Sequence, residues 1–66
     1  MNTYYYLYQD EYSGEAFIVE VEAIDAEEAQ IQADFIAEAN FEEPVRCFEL
    51  TEEDADTIGY DVYTEE

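Results

Sequence analysis

The residues best equipped to hold a cation lie in "TEEDADTIGYDVYTEE". There Asp54, Asp56, Gly59 and Glu65 fall at positions 1, 3, 6 and 12 of an EF-hand loop. The other positions fail: Ile58 stands where position 5 needs an oxygen, Asp61 takes the usually apolar position 8, and only Glu66 remains where an exiting helix should run. Specific calcium binding is not expected, although clustered carboxylates attract divalent ions weakly in any setting. His is absent, Cys47 is the one thiol and Arg46 the one basic side chain. The usual nucleophiles, bases and soft metal ligands are therefore missing, which excludes a catalytic triad or a zinc site. Paired carboxylates could do acid–base work, but 66 residues leave little room for a dry pocket that would separate their pKa values. The expectation is no enzyme and no cofactor.

What remains is surplus charge. Twenty Asp or Glu against one Arg give −19 at pH 7, while the charged fraction, 32%, is only modestly above the typical quarter. The sign of the charges is the anomaly, not their number. Self-repulsion on this scale works against compaction, so its explanation is expected to lie outside the fold. Several carboxylates form rows. Glu27, Asp34 and Glu38 lie on one outward helical stripe, separated by about 10 and 6 Å along the axis. Glu20 and Glu22 are about 6.7 Å apart on one strand face. Glu49 lies on the strand face that also holds Val45 and Cys47.

Elements must position these groups. The hydrophobic content, 48%, with seven Tyr and four Phe, supports one small core, so residues 1–66 are expected to form a single domain. "AFIVEVEA" alternates, with Phe17, Val19, Val21 and Ala23 on one face and Ile18, Glu20 and Glu22 on the other, which marks a half-buried strand. A first strand, about Thr3 to Gln9, precedes it across the hairpin punctuation "EYSGE". Asp25 as N-cap, Glu28 three positions on, and Ile24 with Ala29 as a possible staple predict a helix over Ala26 to Ala39. Ala29, Ala33, Ile36 and Ala37 share its inner face, with Phe35 at the margin. Asn40 is expected to take a left-handed C-cap, and Pro44 prevents continuation.

"VRCFEL" reads as a third strand with Phe48 and Leu50 inward, Cys47 buried and Arg46 at the core's edge. Thr51 as N-cap predicts a short helical turn, followed by an edge strand through Ile58, Tyr60 and Val62. The terminal "TEE" is expected to fray. The fold class is thus α+β: a small antiparallel ββαββ sheet of order 2-1-3-4 with one helix on one face.

Hairpin geometry decides whether Tyr4, Tyr6 and Tyr8 are core or contact surface. A three-residue loop, Tyr12-Ser13-Gly14, pairs Leu7 with Val19 and sets the three rings beside Glu20 and Glu22 on the open face. A two-residue Ser13-Gly14 loop moves the register by one and buries them with Val19 and Val21. Glycine's ease at positive φ favours the longer loop, which makes the tyrosines part of a mixed aromatic and acidic surface of the kind enriched at interfaces.

No apolar run approaches the roughly 20 residues that span a bilayer, and no basic residue starts a signal peptide in the first twenty positions. A bacterial cytoplasmic location with no membrane contact is expected, and a lone thiol agrees with it. DNA itself would be repelled, so no direct nucleic-acid contact is expected. A body of radius of gyration about 11 Å carrying −19 instead approaches the charge of roughly ten base pairs.

In size, acidity and architecture the chain resembles the small phage-encoded inhibitors of bacterial defence, the anti-CRISPR and anti-restriction DNA mimics. It shares no motif with them, so no residue role is carried over. The resemblance implies a basic nucleic-acid-binding protein or nuclease complex as partner, with a CRISPR effector favoured over a restriction enzyme. The contact residues expected from the rows above are Glu20, Glu22, Glu27, Asp34, Glu38, Glu49, Tyr4, Tyr6 and Tyr8. Alternatives are an immunity- or antitoxin-like module for another cationic protein, and the general acidity of a halophilic source. The chain is expected to be a monomer or, through an edge strand at "YDVY", a weak homodimer.

Overall fold

Alternating strands and a capped helix emerge much where the sequence marks them. In the computed structural model, which describes residues 1–64, β1 is Asn2–Asp10, β2 is Ala16–Ala23 and α1 is Ala26–Asn40. They are followed by β3 (Pro44–Leu50), α2 (Glu52–Ile58) and β4 (Val62–Thr64). Glu65 and Glu66 lie outside the described residues, and with them the last position of the acidic loop motif and most of the expected fraying. Thr64 is the last strand residue. The class is α+β, a four-stranded sheet with one main helix against it.

Helix α1 starts where Asp25, in extended conformation, accepts the Glu28 N–H on Oδ1 at 2.9 Å and satisfies one of the free donors of the first turn. Ala29, Ala33, Ile36 and Ala37 are its buried face. At the far end Asn40 stays helical and its Nδ2 donates to the Ile36 carbonyl at 2.8 Å, while Phe41 caps in an extended conformation. The side-chain amide satisfies one free carbonyl of the last turn, and the expected left-handed conformation at Asn40 does not form. Ile24 is 74% exposed and makes no staple with the buried Ala29.

The sheet order is β3-β1-β2-β4. The expected block of strands three, one and two is present, but β4 joins the opposite edge, parallel to β2, instead of pairing with β3. Tyr63 explains the choice: its ring meets Phe17 and Phe41 edge-on at 5.6 and 5.4 Å, and nearby the Ile18 N–H donates to the Asp61 carbonyl at 2.9 Å. The two crossovers, β2-α1-β3 and β3-α2-β4, run in opposite directions across the sheet. Sharing one hand therefore requires the two helices to lie on opposite faces.

The β1–β2 register is neither of the two considered. Tyr6 faces Val19, Leu7 faces Ile18 and Tyr8 faces Phe17 across a five-residue connection, Glu11 to Glu15. Asp10 builds that connection. One carboxyl oxygen accepts the Ser13 N–H and hydroxyl at 3.0 and 2.8 Å, the other accepts the Glu43 N–H at 2.8 Å, and Gly14 at φ 79° closes the turn. Burial alone would raise this carboxyl, but the donors from Ser13, Glu43 and Tyr12 outweigh it and hold it below the ordinary carboxylate range. A one-residue change of register reverses every side chain. Tyr4, Tyr6 and Tyr8 accordingly face α1, and the exposed-tyrosine expectation is corrected: Tyr6 and Tyr8 are each 1% exposed, and Tyr4 is half-buried against them.

The other sheet face carries a smaller cluster, Ile18, Leu50 and Ala55 with Tyr5 and Leu7 beside it. Thr51 caps α2 by accepting the Asp54 N–H at 3.1 Å, and Gly59 ends it at φ 78°. What was expected as a turn is thus a seven-residue helix, which takes Ile58 out of the last strand. Asp54 and Asp56 stand on that helix and not on a metal-binding loop. In β3 the register slips between Leu7 and Tyr8, leaving Cys47 as an exposed bulge residue instead of a buried one. Leu50 is buried on the α2 side and not in the main core, and Phe48, expected inside, is 56% exposed.

Candidate functional site

The sheet separates the candidate contact residues into two groups. Glu27 and Glu38 project from α1, and Glu49, paired with Tyr6, lies on the same side at the β3 edge. All three are exposed. Glu20, paired with Tyr5, and Glu22, paired with Thr3, point to the opposite side, towards α2. Glu20 is half-buried there and Glu22 exposed. The two rows of carboxylates therefore belong to opposite faces and do not form one flat contact surface.

Asp34 is not a free acid. Arg46, at the core's edge as expected, donates from Nη1 to its two oxygens at 2.6 and 2.8 Å, and the buried Tyr8 hydroxyl donates to the same Oδ1. The Asp34 carboxylate beside it holds the Arg46 guanidinium above its ordinary value. Burial, then the hydrogen bond to Asp34, pushes the Tyr8 phenol up, so that it stays protonated and acts as a donor. This group lines a polar depression with Glu38 and Pro44. Both ends of the ion pair remain partly exposed, at 32% and 47%, which limits its contribution to about 1 kcal/mol or less. Its larger effect is to retire the one side-chain cation of the chain to an internal partner.

On the α2 side, Tyr5 replaces the expected tyrosines as the ring among acids. Burial, followed by repulsion from Glu20, Glu52 and Asp56, raises its phenol. Tyr6 is raised by burial and then by Glu49. Both phenols stay neutral where surrounding carboxylates would oppose a further negative charge.

Sequence reasoning missed Ile31 and Phe35. They occupy the outward face of α1 at 62% and 76% exposure, where Phe35 had been expected at the edge of the core. The signal was present: Ile31 sits nearly opposite Ala29, Ala33 and Ala37 on a helical wheel, and Phe35 lies one turn beyond it. Asp10 was missed too, although an Asp followed three residues on by Ser and then Gly is the signature of a side-chain-built turn.

Among the described acidic side chains only Asp10 is buried. The body measures 32 × 24 × 21 Å. The whole chain carries −19 and the described residues span 32 Å along their longest axis, so net charge per unit length is close to that of duplex DNA, about one per 1.7 Å. Among the described residues no three carboxylate or thiol groups converge to hold a metal ion, and no helix is long and apolar enough to cross a membrane. Searches with the chain find no matching family model, no matching curated protein and no matching solved structure.

Proposed function

We propose that the chain is an acidic inhibitor that occupies the positively charged nucleic-acid-binding site of a bacterial defence nuclease complex and blocks nucleic-acid binding. A CRISPR effector is favoured over a restriction enzyme as its target, in line with the resemblance in size, acidity and architecture. The observation that carries the reading is axial charge density: −19 on a 32 Å body, with the single arginine held by Asp34. Lys and Arg placed to hold phosphates would meet carboxylates at comparable density, and ions released from both partners would add to affinity as they do for DNA.

The test is a mobility-shift assay in which the chain is titrated into CRISPR effector complexes and restriction enzymes with their labelled duplexes. Stoichiometric loss of duplex binding is expected from one class of target. Where six to ten phosphate contacts are replaced, inhibitor affinity should fall on the order of 10³-fold or more between 50 and 200 mM salt. No loss of duplex binding by any target, or an affinity that is flat with salt, would overturn the reading. The exposed Ile31 and Phe35 favour one second reading, an immunity- or antitoxin-like module for another basic protein. An inhibitor that grips its partner tightly while duplex DNA fails to displace it would be of that kind.

A further inference from the structure

Neither core cluster uses Ile31 or Phe35. Folding alone gives no reason to set two large apolar side chains on the solvent face of an amphipathic helix. Being four residues apart, they stand one above the other about 6 Å along the axis, and with Gln32 and Ile36 they line a shallow depression. Glu27, Glu28 and Glu38 flank them, all exposed. We propose that this face of α1 is the recognition element. Ile31 and Phe35 form an apolar anchor that enters a socket on a cationic protein, and Lys and Arg around that socket meet Glu27, Glu28 and Glu38. The inference rests on the part common to both readings above, an acidic protein that binds a cationic one, and adds the place of contact and a component that duplex DNA lacks.

Charge selects the occupant. A second copy would set the same carboxylates against one another, with no side-chain cation between them except an arginine already bound to Asp34. An anionic lipid surface would be repelled for the same reason. A basic protein gains on both counts: its cations find partners, and its apolar socket is sealed by a central aromatic with a polar rim, the arrangement typical of binding hot spots. Removing Phe35 from water should contribute about 10- to 100-fold in affinity, with little dependence on salt.

Two lysine-rich peptides of equal length and charge test the inference on the intact chain. One carries a leucine stripe along an amphipathic helix; the other has serine at those positions. The leucine peptide is expected to bind about tenfold or more tightly, with NMR shifts centred on Ile31 and Phe35. Phe35→Ser combined with Ile31→Ser should erase that advantage and leave the serine peptide's affinity and the melting temperature unchanged. Glu27→Gln with Glu38→Gln should instead flatten the salt dependence of both peptides. Equal binding of the two peptides, an advantage that survives the double serine variant, or shifts centred on Phe48 and Val62 would overturn the anchor while leaving the charge reading in place. Binding of both peptides without salt dependence would overturn the charge reading itself. Sedimentation showing a dimer that the double serine variant dissolves would identify a second copy as the occupant and overturn the inference.

Discussion

The two faces of the sheet are built to different standards. On one, fifteen residues of α1 close over Tyr6, Tyr8, Phe17, Val19 and Val21. Phe17 there stacks on Phe41 at 3.9 Å and on Tyr8 at 5.4 Å. On the other, seven residues of α2 cover only Ile18, Leu50 and Ala55, leaving Val45, Phe48 and Val62 about half exposed. The difference follows from residue size. Alanines at 29, 33 and 37 let α1 approach closely enough to seal a floor of large rings, whereas α2 offers a single buried alanine, Ala55. Stability should therefore be concentrated on the first face, with the second a satellite expected to open at lower cost.

Four measurements break or sharpen that contrast. Phe17→Ala removes the centre of the aromatic stack and should cost about 3–5 kcal/mol. A domain of this size holds little more than that, so the variant should be largely unfolded by circular dichroism at room temperature. Retention of a cooperative melt would show that the sealed face is not where stability resides. Leu50→Ala should cost about 2 kcal/mol, near the low end for such a truncation because the buried cluster around it is small. By hydrogen exchange, α2 should lose protection while α1 keeps it, and equal losses in both helices would merge the two faces into one cooperative unit.

Asp10→Asn addresses the knot that fixes the tyrosine register. The folded carboxyl lies below its ordinary value, so its stabilisation is complete above the unfolded pKa and disappears as pH falls through the folded one. The variant should therefore melt several degrees below the parent at neutral pH, and the gap should close in acid below the ordinary carboxylate range. A gap that is constant with pH would mean that charge plays no part in the turn. The smallest effect is expected from Arg46→Gln, about 1 kcal/mol or less in urea titrations, because the pair it breaks is partly exposed. A larger loss would show that the Tyr8–Asp34–Arg46 group acts as a strut of the sealed face.

Much of this was legible in advance. Helix α1 announced itself through Asp25 and the spacing of Ala29, Ala33, Ile36 and Ala37, and the start of α2 through Thr51, although its length and its end at Gly59 were not read. These are local signals, each decided within one or two turns. The tyrosine orientation was not legible in this way, because one carboxylate, Asp10, binds Ser13 in its own loop and Glu43 thirty-three residues away, and that added contact set the register. The position of β4 was hidden for a similar reason. Tyr63 chooses its edge by meeting Phe17 and Phe41, rings brought together only once α1 has docked. The acidic rows were visible as rows, but their division between opposite faces depended on the same register, and Asp34's loss to Arg46 depended on how β3 meets the helix.

The engagement of Arg46 by Asp34 also bears on colloidal behaviour. With no unengaged side-chain cation on display, every approach between two molecules is opposed at long range, and that opposition should hold the exposed Phe35 and Phe48 of neighbouring molecules apart at low salt. Concentrated electrolyte removes the barrier, since its screening reaches only about 3 Å at 1 M. Brine should therefore make each molecule harder to unfold and, at the same time, its solution easier to cloud.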